Sequence, residues 1–301
     1  MKSLARSLVA LPILLAFATA ARADRAPRLV TDPATGTVTM QADGKRCWTY
    51  VPQSPEGKPF FHPLTIPGTD DALTSFRPPD HAWHLGFWFS WKFINGCNFW
   101  EPDSNGVTRV LSQKLAEDGA RFQTDVALAY VVKGQTAVLE KRTVTVTTQP
   151  NGNYTIAWDS TFTATNGAAG FSCTPAKKDK NGNWATGGYA GLMWRFADSP
   201  AFSYTFTNAA GDADVKTCGE PSEWLQVIAT AAADGAKARI TFRDHSDNPR
   251  HPTPWFARYS TTAHKGRGYY LVGPSMIFHE PLTLANGASM RFRYTVTVER
   301  L

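Results

Sequence analysis

The sequence predicts an all-β protein, a large antiparallel β-sandwich. Two observations carry this. The first is a period of two in apolar residues along nearly every ordered-looking stretch. The second is a set of turn signals that cut the chain into runs of strand length, with no helical stripe sustained over three turns. The runs TVTVTT (143–148), YTIAWDSTFTAT (154–165), ARITFRDH (238–245) and SMRFRYTVTVER (289–300) all alternate. Their Val, Thr, Tyr and Phe suit a pleated surface with one buried face. In the last run Met290, Phe292, Tyr294, Val296 and Val298 share one side, and Ser289, Arg291, Arg293, Thr295 and Thr297 share the other. QPNGN (149–153), TNGAAG (165–170), DKNGN (179–183), ADGAK (233–237) and ANGA (285–288) mark the turns between runs. No internal repeat of fixed period is present, which argues against a propeller.

The N-terminus sets the compartment. MKSLARSLVALPILLAFATAARAD has a basic start, an apolar stretch from Leu8 to Ala20 and the small-residue triplet Ala21-Arg22-Ala23. This is the pattern of a signal peptide over residues 1–23, cleaved before Asp24. The mature chain, 24–301, is then expected to be one exported β-sandwich domain, periplasmic or extracellular, with no transmembrane segment. Loss of Lys2, Arg6 and Arg22 lowers the formal charge from +6 to +3. With no Lys/Arg block, nucleic acid is a poor partner. The four cysteines, Cys47, Cys97, Cys173 and Cys218, lack the CxxC spacing of a zinc or redox motif. Export permits disulfides, and Cys173–Cys218 is the favoured pair of the three possible pairings because both lie in Gly- and Lys-rich sequence.

The chemistry gathers in two segments. PPDHAWHLGFWFSW (78–91) holds two histidines, three tryptophans and two phenylalanines. Pro78 and Pro79 keep its start out of a strand. Beyond them Leu85, Phe87, Phe89 and Trp91 form a core face, and His84, Gly86, Trp88 and Ser90 form the opposite face. An indole beside an imidazole suits a sugar, whose C–H face stacks on the ring while its hydroxyls need donors and acceptors. Gly86 is expected to let the ligand approach the sheet. Asp80 and His81 lie in the loop that feeds this strand.

The second segment, RDHSDNPRHPTPWFARY (243–259), is a proline-stiffened loop carrying His245, Asn248, Arg250, His251, Trp255 and Arg258. Its arginines suit a carboxylate, although each has an alternative role tying the loop to backbone carbonyls. His62 in KPFFHPLTIPG (58–68) and Asn98 and Trp100 in NGCNFWEP (95–102) are the remaining candidates. Glu140 and Arg142 share a strand face and read as a structural ion pair.

These segments, together with LEKRTV, GYAGLMWRFA (188–197) and PLTLANGASMRFRYTV (281–296), resemble a bacterial family labelled "methane oxygenase PmoA" and otherwise of unknown function. The resemblance runs from about residue 45 to the C-terminus. It implies a supersandwich of the galactose-mutarotase-like type and a setting among sugar-degradation proteins. The oxygenase label itself does not suit this chain, since the methane monooxygenase subunit is a multi-helix membrane protein. Where members carry a histidine in a Gly-rich strand, this chain reads GVTRVLSQKLAEDG (106–119), without one.

The leading expectation is an exported carbohydrate-active enzyme, a hydrolase, lyase or epimerase acting on a sugar or uronic-acid-containing glycan. His81, His84 and His245 would serve as acid and base, with Arg250 and Asn248 at developing negative charge. His62, Asp80, Trp88, Asn98, Trp100, Asn248, Trp255 and Arg258 would bind substrate. No acid pair resembles that of a standard glycosidase. The competing readings are a non-catalytic sugar-binding module and an enzyme with a divalent metal among His62, His81, His84 and His245, with Asp80 as oxygen ligand. No other cofactor is expected.

Overall fold

A computed structural model describes residues 26–101, 105–198 and 200–301. The signal peptide expected over 1–23 lies outside the described residues. Two eight-stranded antiparallel sheets dominate. The front sheet runs in the order Arg28–Thr31, Val38–Ala42, Lys45–Val51, Phe60–Leu64, Phe87–Ser90, Gly191–Arg195, Tyr269–Pro274, Trp255–Ser260. The back sheet runs Phe202–Asn208, Trp224–Ala231, Lys237–Asp244, Ser289–Arg300, Tyr154–Ala164, Gln135–Thr148, Arg121–Val132, Gly106–Asp118. A small four-stranded sheet joins Leu282–Leu284, Ala169–Ser172, Phe93–Ile94 and Cys97–Asn98. This is the large antiparallel sandwich the alternation predicts.

The core lies between the two large sheets and is rich in aromatic rings. Phe87 meets Trp158 edge-on at 5.7 Å, Phe89 stacks on Phe162 at 5.2 Å and Trp194 meets Phe242 at 5.8 Å. The Trp48 indole N–H crosses the interface to Thr148 Oγ1 at 2.9 Å. Met290, Phe292, Tyr294, Val296 and Val298 are all buried, as their alternation requires. Glu140 and Arg142 are also sealed in the core, where Arg142 Nε donates to Glu140 Oε1 at 2.7 Å. Tyr130 and Ser160 donate to the same carboxylate, so the pair is structural.

Lys177–Lys178 pairs with Trp184–Thr186 as a short hairpin around the DKNGN turn. The favoured Cys173–Cys218 disulfide is not formed, since all four cysteines are free. Cys173 instead directs its thiol to the Ile277 carbonyl at 3.2 Å, and burial pushes the Cys47 and Cys218 thiols up to about 11.

Candidate functional site

Strand alternation decides what lies outside the front sheet. Trp194, Tyr270 and Tyr259 point toward the back sheet, where they meet Phe242, Tyr204 and Phe206. Their neighbours Arg195, Tyr269 and Arg258 must therefore project from the outer face. A cavity of about 240 Å³ sits there, lined by His81, Tyr189, Phe256, Arg258, His264, Tyr269 and the segment 185–187 at the end of the hairpin strand Trp184–Thr186. His81 comes from the first histidine-rich segment and Phe256 and Arg258 from the second. The two segments thus share one concavity.

Asp80 anchors the centre from behind. Its Oδ2 lies 2.7 Å from His81 Nδ1, 3.0 Å from Arg195 Nη2 and 3.3 Å from His264 Nε2. Burial alone would raise the Asp80 carboxyl, but the His81 hydrogen bond and the Arg195 charge outweigh it and hold it below its ordinary value. Arg195 is fully enclosed, lies 4.1 Å over the Tyr269 ring and also donates to Asp198. Arg267 bonds Asp198 in turn at 2.5 Å. This chain of alternating charges fixes the Asp80 carboxylate in place. For His81, burial is the largest influence and lowers the imidazole against the pull of Asp80.

Several predicted residues do not reach this cavity. His84 is 1% exposed, stacked on His81 at 4.6 Å and tilted against Trp88 at 5.1 Å. Its Nδ1 has no hydrogen-bond partner among the described residues, and burial holds the ring well below its ordinary value. Trp88 and Trp100 are equally buried, packed on each other at 5.5 Å, with Tyr189 covering Trp100. The face expected to meet ligand is therefore a second aromatic core layer. Gly86 makes room for the neighbouring strand rather than a ligand: at φ +81°, a Cβ there would lie 2.5 Å from the Phe61 carbonyl oxygen.

Most candidates of the second segment are likewise fastened within the fold. Arg250 donates to the carbonyls of Met276, Glu280 and Pro281, which is the tying role. Asn248 bonds Asp244, and its amide both donates to and accepts from the Arg293 backbone. Trp255 is buried and donates to the Ser222 carbonyl at 2.8 Å. His245 is exposed, with its Nδ1 accepting from the Asp247 amide at 3.1 Å, and it does not line the cavity. His62 bonds Thr74 at 2.9 Å and stacks on Phe76. Asn98 donates to Glu101 at 2.6 Å and its carbonyl caps the Trp100 amide. The predicted metal set of His62, His81, His84 and His245 with Asp80 is thus not assembled; Asp80 and His81 are joined instead by His264.

A family model matches residues 37–300. The chain belongs to this family of unknown function (DUF6807). The family's standing agrees with the unknown function implied by the resemblance, and its description carries no oxygenase label. No protein of curated function matches the sequence. Among solved structures the chain is similar to the alpha-galactosidase from Lactobacillus brevis, at 8% identity and a TM-score of 0.48, over 90% of this chain and 40% of that one. It is also similar to the GH36 alpha-galactosidase AgaA from Geobacillus stearothermophilus, at 9% identity and a TM-score of 0.42, over 84% and 39%. The chain therefore spans about two fifths of the length of either galactosidase.

Several residues of the site, Phe256 among them, were not singled out from sequence. Arg195 carried a signal: one arginine closing the apolar run AGLMWRF must bury a charge and find a partner. Tyr189 and Tyr269 look like any strand aromatics. His264, in STTAHKGRG, has no aromatic neighbours and reads as an exposed turn.

Proposed function

We propose that the chain is an exported carbohydrate-active enzyme, with its centre at the Asp80–His81–His264 cluster and the adjoining cavity. One observation carries the reading. Two imidazoles and a guanidinium, from distant parts of the chain, line a concavity whose other walls are the rings of Tyr189, Phe256 and Tyr269. Aromatic rings and a few placed polar groups are what a sugar ring requires. A volume of about 240 Å³ suits one small ring better than a long glycan.

Among the described residues the cavity wall holds no carboxylate, and Asp80 stands behind His81. Hydrolysis by two opposed carboxylates is therefore disfavoured. Proton abstraction beside a carboxylate, leading to elimination or epimerisation of a uronic acid, fits better. Arg258 faces the anionic group and the cluster supplies the proton transfer. Oxidation of methane is not part of this reading: no described helix is long and apolar enough to cross a membrane. The sugar-degradation setting that the motif resemblance implies supports the same reading.

The test is turnover of neutral and uronic-acid glycans by the wild type and by His81→Ala. Loss of roughly 10²–10⁴-fold on a uronate substrate is expected. Equal rates would remove the cluster from the mechanism. Calorimetric binding of a sugar with no product would leave a binding module instead of an enzyme.

A further inference from the structure

Asp80, His81 and His264 each offer one ligand atom, and the three atoms lie within 4.8 Å of one another. Two of the spacings, from Asp80 Oδ2 to His81 Nδ1 and to His264 Nε2, are 2.7 and 3.3 Å. A tetrahedral ion bound at ~2.0–2.1 Å holds its ligand atoms roughly 3.3 Å apart. Small side-chain adjustments would therefore place all three around one ion.

Three further features point the same way. Arg195 holds the Asp80 carboxylate from behind, at 3.0 Å, as outer partners orient ligating carboxylates. Both imidazoles line the cavity, so a fourth position would open toward substrate. His264 and Lys265 have left-handed backbone, φ +52° and +63°. Such strain in non-glycine residues persists where surrounding structure enforces it, and it gathers at ligand clamps.

We propose that Asp80, His81 and His264 form a three-ligand divalent metal site whose open position faces the cavity. Two imidazoles and one carboxylate select zinc or iron(II) over magnesium or calcium, which prefer oxygen ligands throughout. The proposal rests on the cavity being the functional site, and it names the base. When bound, the ion would lower the pKa of a water at its open position and so supply a hydroxide base for the proton on the substrate carbon. Arg258 would hold the substrate carboxylate, onto which the electron pair of the broken C–H bond delocalises, and return of the proton to the opposite face of that carbon completes an epimerisation with no other bond changed.

The test uses the full chain, stripped with a chelator and titrated with zinc and separately with cobalt(II) as a visible probe. One equivalent of each is expected, with d–d absorption of a low-coordinate nitrogen/oxygen site for cobalt. His264→Ala should weaken binding at least tenfold. This variant alters a partly exposed turn, so it should stay folded even if Asp80→Asn, which strips the partner of a buried arginine, does not. His279→Ala, outside the cluster, should bind as the wild type does. A folded wild type that takes up neither ion stoichiometrically, or a His264→Ala protein that binds equally well, overturns the proposal. Absent metal binding with His81→Ala still inactive sinks the metal and spares the sugar reading. Tight metal binding with no sugar bound or turned over does the reverse.

Discussion

His62 reads in the sequence like a ligand-binding imidazole, yet its surroundings make it a neutral wedge. It is half-buried between Phe76 and the backbone at Gly86, and burial first, then Arg46, lowers it from 6.5 to about 4. The unfolded chain therefore takes up a proton near pH 6.5 that the folded protein refuses until about pH 4. The contribution is intact above pH 6.5 and is lost as pH falls through that window, up to about 3 kcal/mol. Urea unfolding of wild type and His62→Gln between pH 8 and 4.5 checks it. The wild type should lose more stability on acidification; parallel curves would show that His62 titrates normally. The same contrast separates His81 from His84. Three positions apart in a histidine-rich segment they look equivalent, but one lines the cavity and the other is sealed beneath it.

At the scale of the element, the loop after Lys237–Asp244 shows why an apparently reactive segment can be scaffolding. Asp244 is buried and receives the Asn248 amide at 2.7 Å, the Thr253 amide at 2.9 Å and the His251 ring at 2.8 Å. One carboxylate thus gathers both ends of the loop, and Arg250 fastens its middle to the carbonyls at 276, 280 and 281. Burial, opposed by these bonds, still leaves the Asp244 carboxyl raised. Asp244→Ala would strand several buried polar groups at a cost of about 2–4 kcal/mol. It should also speed hydrogen exchange across residues 245–254. Unchanged exchange there would mean that the prolines alone hold the loop. The density of polar groups is plain in the sequence. That they satisfy one another is not, because hydrogen-bond partners are a property of distance.

For the molecule as a whole, no disulfide joins the two sheets among the described residues. With Cys47, Cys97 and Cys218 buried and Cys173 half-buried, all as free thiols, a thiol reagent under denaturing, non-reducing conditions should count four groups, and reductant should leave the unfolding midpoint unchanged. A count of two or none would restore a disulfide. The outer face of the front sheet places the cavity residues over a layer of Trp88, Trp100 and His84, so the site has a rigid aromatic floor. That second layer explains the excess of aromatics in residues 78–91, which the chain spends on two cores at once.

The sandwich is written in the local pattern of the chain, because a period of two and frequent turn residues survive without knowledge of partners. The sequence also determined that residues 78–91 and 243–259 are unusual, and Asp80, His81 and Arg258 were legible as residues to watch. Which of those imidazoles and guanidiniums face a cavity, and which are buried or fastened to carbonyls, follows from long-range packing alone. Burial depends on what packs over each face of a strand, and the covering rings of Trp100 and Tyr189 come from elsewhere in the chain. His264 entered the cluster through a left-handed turn far from Asp80 in sequence, a meeting that long-range folding alone can create.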